Sequence, residues 1–237
     1  MPDAALDRMR LLYAGASGAL DAWIGELIAL LDEARLLDDT LLIITADHGE
    51  HLGEGGQLGH AFSLGEALLR VPLVTAGPVS LKHGPVTSLV SLPARLAEAL
   101  DLPDHPWSDP LPTGRAVAQF DPPEADDEGI ERLLDIWGAH DVRDELTKRL
   151  RARLTAASDG RSKVILRGSE LEWFNLSQDR PERRPLPGDR SIAELEHLAR
   201  TWSSPAAGSP ASPELPSKDE RNDIEDLEDR MRLLGYF

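Results

Sequence analysis

One short stretch restricts the fold more than any other: Leu41-Leu42-Ile43-Ile44-Thr45-Ala46, an unbroken apolar run rich in strand-forming residues. Such a run fits a strand buried on both faces, as in a parallel sheet lying under helices. Upstream, Met9, Leu12, Ala16, Leu20, Ile24, Leu27, Ile28 and Leu31 recur at three- and four-residue steps, which predicts an amphipathic helix from about Ala5 to Arg35 with one buried stripe. Asp38, Asp39 and Thr40 give a polar turn between the two. Downstream, five glycines from Gly49 to Gly59 predict a loop or broken turn. A helical segment at Ser63 to Leu69 then leads to Val71 to Ala76, a second strand ended by Gly77-Pro78. Helix, strand, loop, helix, strand is the rhythm of an α/β layer.

Beyond this layer the signals are shorter. Leu89, Leu92, Leu96 and Leu100 predict a helix over Thr87 to Leu100, stopped at Leu102-Pro103, and a boundary falls near Pro103 to Pro112. There follow a strand at Ala116 to Phe120, helices near Glu131 to Trp137 and Arg143 to Ala156, and a hairpin of Ser162 to Arg167 with Glu170 to Asn175 joined by Gly168-Ser169. Residues 203–217 are almost entirely Ser, Pro, Ala and Gly, a composition that cannot offset the entropy of ordering itself. Ile224, Leu227, Met231 and Leu234 then restore a helical pattern. The expected divisions are therefore 1–105, the α/β layer; 106–202, a small α+β subdomain; 203–221, a disordered linker; and 222–237, a C-terminal helix.

Charge narrows the function classes. Lys+Arg 25 against Asp+Glu 42 gives a net charge of -17 over 237 residues, which argues against nucleic acid as a partner, since phosphate binders cluster positive charge. Arginine far outnumbers lysine, which occurs only at Lys82, Lys148, Lys163 and Lys218. A high-salt proteome and a GC-rich genome both give this pattern, and the two stay open. No unbroken apolar run approaches the roughly 18–20 residues of a membrane helix, and Asp3, Asp7, Arg8 and Arg10 interrupt the N-terminal stretch, so neither a membrane segment nor a signal sequence is expected. Localisation is not indicated. The absence of cysteine removes disulfides, thiolate metal sites and cysteine nucleophiles from this chain.

Chemistry concentrates in Asp47-His48-Gly49-Glu50-His51-Leu52-Gly53-Glu54, with His60 close behind. In open α/β sheets, ligand groups gather where strands end, and Asp47-His48 come directly after one. Side chains of neighbouring residues on a regular strand point to opposite faces. Where the backbone leaves the strand, with Gly49 free to take a positive φ, the carboxylate and the imidazole can converge on one divalent ion. An oxygen and nitrogen pair suits Ca, Mn or Zn alike. Asp, His and Gly are also common strand-end residues, so the tripeptide alone does not define a site.

The wider pattern does more. Tyr13, Asp21 and Ile24-Gly25, Asp39-Thr40-Leu41, Asp47-His48-Gly49-Glu50, Leu52-Gly53-Glu54, His60 and Val71-Pro72-Leu73 together resemble the later part of the sulfatase catalytic domain in the alkaline phosphatase superfamily. Val86 to Leu102 resembles the helix closing that domain. Leu171 to Glu182 resembles the family pattern Leu-Tyr-Asp-Leu, two variable residues, Asp-Pro, one residue, Glu; Leu234-Gly235-Tyr236 resembles a frequent ending. The fold implied is α/β: the C-terminal portion of an alkaline phosphatase-like parallel-sheet sandwich plus a small α+β subdomain.

The activity implied is metal-dependent hydrolysis of a small-molecule sulfate ester, or of a phosphate ester in close relatives. The resemblance makes Asp47 and His48 metal ligands and gives His60 the contact to the transferred group, where a cation or hydrogen-bond donor would stabilise developing charge. Calcium is taken first, with manganese and zinc as alternatives. Nothing in the pattern assigns His51 a role, and Glu50 and Glu54 are expected to shape or support the loop rather than to ligate.

The departures matter as well. The family's nucleophile, a Cys or Ser in Cys/Ser-x-Pro-Ser-Arg that becomes formylglycine, lies upstream of the Asp-His-Gly strand, and here helix fills that space. Ser91-Leu92-Pro93-Ala94-Arg95 imitates the serine version but lies downstream, lacks the second Ser, and is rejected as a nucleophile. The formylglycine nucleophile is thus absent from this chain, which is expected to be inactive alone: either it is a truncated or split gene product, or it pairs with a companion chain bearing the N-terminal half. Two alternatives stand beside this: a noncatalytic remnant or partner-binding module, and a phosphonate or phosphodiester hydrolase or phosphoethanolamine transferase of the same superfamily.

Overall fold

The computed structural model describes residues 3–82, 84–102, 111–122, 147–148, 150–188 and 192–203. Helix α1, Asp3–Glu33, is followed by a 3-10 turn at Leu37–Asp39 and strand β1, Leu42–Thr45. A two-rung hairpin, β2 (His51–Leu52) and β3 (Leu58–Gly59), leads to the one-turn helix α2, Glu66–Leu69, and to β4, Leu73–Ala76. Helix α3 spans Leu92–Ala99, entered through a 3-10 turn at Leu89–Ser91. Strands β5 (Ala116–Phe120), β6 (Leu154–Ser158), β7 (Ser162–Arg167) and β8 (Glu170–Asn175) precede helix α4, Ala193–Ser203.

The mixed α/β order is as expected, but the pairing of the first strand is not. β1 pairs antiparallel with β4, Leu42 opposite Ala76 and Thr45 opposite Leu73, and β1 is half-buried rather than enclosed. The chain returns through a hairpin and a single helical turn. A parallel return needs a longer crossover, usually a full helix. No parallel pair occurs among the described residues.

The stripe on α1 also departs from expectation. Ile24, Leu27, Ile28 and Leu31 are half-covered, but Leu12 is 65% and Leu20 57% exposed. The described contacts lie towards the ends, where Arg10 Nε donates to Leu52 O at 3.0 Å and Leu6 lies against Gly53. An 18-residue window of this helix averages a hydropathy of 1.3 with at most two charged residues, so by length and composition it could cross a membrane. The sequence expectation counted unbroken apolar runs. A long helix reaches the same average with charges interspersed.

The second half centres on an antiparallel sheet in the order β5-β6-β7-β8. Alternation along each strand gives it two buried faces. Leu154, Ala156, Ile165 and Phe174 pack with Leu64 and Leu176 on one face, and Ala157, Val164 and Leu166 pack with Ile192, Leu195 and Ala199 of the α4 region on the other. This corrects the helix expected to run from Arg143 to Ala156: Leu154–Ser158 is a strand, because its residues fit between two apolar layers better than on one helix face. Residues 131–137, 203–221 and 222–237, expected as helix, linker and helix, lie outside the described residues apart from Ser203, the last residue of α4.

Candidate metal centre

At the exit of β1 the chain places two exposed side chains next to each other, Asp47 and His48. Asp47 Oδ1 accepts the His48 amide at 2.9 Å, and this hydrogen bond is the main reason its carboxyl is held below the usual carboxylate range. His48 Nδ1 lies 2.8 Å from Gly49 O; a carbonyl can only accept, so Nδ1 carries the proton and the Nε2 lone pair stays open. His48 Nε2 lies 3.8 Å from Asp47 Oδ2, a separation that two ligands of one ion can share.

The glycine hairpin brings in the third group. Its register pairs His51 with Gly59 and Leu52 with Leu58, so one step outward Glu50 comes opposite His60. His60 Nδ1 donates to Glu50 Oε2 at 3.1 Å, which leaves Nε2 of this ring open too. The two imidazoles stack with centroids 4.4 Å apart. One ligand atom each from His48, Glu50 and His60 lie within 4.8 Å of one another. Nitrogen and oxygen donors of this kind, with ring orientations fixed from behind, fit a divalent metal.

Gly49 serves the site, though not by a left-handed φ, since it is not among the positive-φ glycines. It allows close approach: a Cβ there would lie 2.1 Å from Ala67 O, and its amide donates to Leu68 O at 2.8 Å. The Asp47-His48 turn therefore rests directly on α2. The left-handed residues are Gly53, Gly55, Gly56 and Gly59, which fold the hairpin back.

His51 is buried, with Nε2 3.0 Å from Ser63 Oγ, and burial pulls its pKa down. It is a core imidazole, in keeping with the absence of any role for it in the motif. Glu54 Oε2 accepts the Leu52 amide at 2.6 Å and so shapes the loop. Ser91, in the rejected nucleophile motif, is 1% exposed at the start of α3. A cavity of about 530 Å³ lies beside Asp47, lined also by Glu66, Arg70, Lys163 and Arg180. Sequence reasoning missed the Glu50–His60 pair, whose signal was the hairpin register, and it missed Glu66 and Lys163.

Among the described residues, a carboxylate and two imidazoles thus gather just beyond the end of β1 in a mixed α/β fold. A solved structure in complex with its substrate, D-glucosamine-2-N,6-O-disulfate, superposes with a TM-score of 0.54 over 78% of this chain and 37% of that one; at 18% identity the likeness is one of fold. Residues 2–102 match the sulfatase family. It is 38% identical to choline-sulfatase of Rhizobium meliloti (strain 1021) over 107 residues, 43% of this chain and 21% of that protein. Arylsulfatase K of Gallus gallus is 36% identical over 95 residues, 40% of this chain and 18% of that protein. The matches to these curated relatives thus span about a fifth of their length. The matched segment includes α1.

Proposed function

We propose that this chain supplies the C-terminal part of a sulfatase-type site that hydrolyses a small-molecule sulfate ester at a divalent metal. Asp47 and His48 are the ligands, and His60, oriented by Glu50, presents Nε2 to the transferred group. The observation that supports this best is the pair of imidazoles whose Nδ1 atoms are both occupied from behind, next to an exposed carboxylate. A bound ion, calcium first with manganese or zinc as alternatives, supplies Lewis-acid stabilisation of charge developing on the transferred group. The nucleophile and further acidic ligands come from polypeptide other than these 237 residues, whether in a longer form of the same chain or in a companion.

Titration of the purified chain with Mn²⁺ tests the assignment. Asp47→Ala and His48→Ala are each expected to weaken binding at least tenfold, and the chain alone is expected not to turn over an aryl sulfate. Unchanged binding in Asp47→Ala, or turnover by the chain alone, overturns the reading. Adding a chain that carries Cys/Ser-x-Pro-Ser-Arg is expected to give turnover; none would favour the noncatalytic alternative.

A further inference from the structure

Lys163 is buried, with its side chain 1% exposed. It projects from β7 on the face shared with Ile165, and its Nζ lies 3.0 Å from Glu66 Oε1 and 2.8 Å from Glu182 Oε1. Glu182 closes the arrangement: its Oε2 accepts the Glu66 amide at 2.6 Å. Its backbone sits at φ 54, a left-handed conformation that a non-glycine residue keeps only when its surroundings enforce it. Glu182 is also the final residue of the pattern beginning at Leu171, for which the metal centre offers no use.

Two physical points separate this cluster from ordinary packing. A buried lysine–carboxylate cluster is seldom more stable than a wholly apolar replacement of all its members, so its value lies in fixing a geometry, whereas loss of the lysine alone strands two buried carboxylates. The element it fixes, α2, is a single turn that cannot hold its own conformation or direction without outside contacts. The Glu66 end of α2 is tied to Lys163 and Glu182. At its other end the Leu68 carbonyl accepts the Gly49 amide, directly behind Asp47 and His48.

We infer that Lys163 is a positioning residue, which with Glu66 and Glu182 anchors α2 to the four-stranded sheet and through Leu68 and Gly49 sets the Asp47-His48 turn. The inference deepens the proposed function and rests on it for the metal, but not for the turn. The test uses the full 237-residue chain. Amide hydrogen exchange at Gly49, read by NMR, needs no metal: Lys163→Met, which strands Glu66 and Glu182 and so also lowers the melting temperature, is expected to lower Gly49 protection at least tenfold more than that of the β6 amides. Lys163→Arg, which keeps the charge, is expected to restore most of it.

Mn²⁺ affinity is expected to fall in Lys163→Met and to recover in Lys163→Arg. Folded Lys163→Met with Gly49 protection lowered no more than that of the β6 amides overturns the inference. Should Lys163→Met fail to fold, the shape-conserving Glu182→Gln decides: at least threefold faster Gly49 exchange supports it and wild-type exchange overturns it. Failure of the metal reading shows separately, as wild-type Mn²⁺ binding indifferent to Asp47→Ala with the Gly49 response intact.

Discussion

Gly49 and His51 stand two residues apart and answer to different forces. A methyl group at Gly49 would meet the Ala67 carbonyl at 2.1 Å, so Gly49→Ala must push α2 and the Asp47-His48 turn apart. Overpacking of this kind costs about 1–3 kcal/mol. Urea unfolding should show that loss, and Mn²⁺ titration should show weakened binding in the part that still folds. His51 tests burial. Desolvation holds its folded pKa below the ordinary value near 6.5, so as pH falls through that value the unfolded chain takes up a proton that the folded chain refuses. Stability should therefore be fully present above about pH 7 and decline as pH drops towards 5. The corresponding part of the slope should vanish in His51→Gln; an unchanged slope would remove His51 from the account.

At the scale of elements, legibility followed how local the determining interactions are. β5, β7 and β8 begin and end where alternation and the Gly168 turn predict, because neighbouring residues fix them. β6 was hidden in a charged, helix-like pattern, since only its burial between two layers makes it a strand. α4 had a signal in Ile192, Leu195 and Ala199 that only the facing sheet makes compelling. Of the proposed metal centre, motif and order single out Asp47, His48 and His60, whereas the contact of Glu50 with His60 comes from the hairpin register and the Lys163 cluster joins residues far apart in sequence with no local signature. Leu154→Ala, at 0% exposure beneath both Leu64 and Phe174, should cost about 2–5 kcal/mol in urea melts. Leu12→Glu and Leu20→Glu on bare α1 should each change stability by less than about 0.5 kcal/mol. They should also reduce self-association seen by sedimentation, because a row of exposed leucines and Trp23 invites contact.

The whole molecule carries a net charge of -17, and self-repulsion of that size opposes compaction. Screening shortens its range to about 3 Å in 1 M salt. The melting temperature should rise between 10 mM and 1 M KCl, and a flat response would show that acidic residues are already balanced locally.

The lysine bridge between Glu66 and Glu182 also bears on ancestry. Recombination that cut the gene after residue 102, where the match to the sulfatase family ends, would part Glu66 from Lys163 and Glu182 and leave the bridge incomplete on both sides. Swapping in a foreign tail therefore demands a donor that already carries the matching cation and acid, so the two segments are expected to be inherited as a single block.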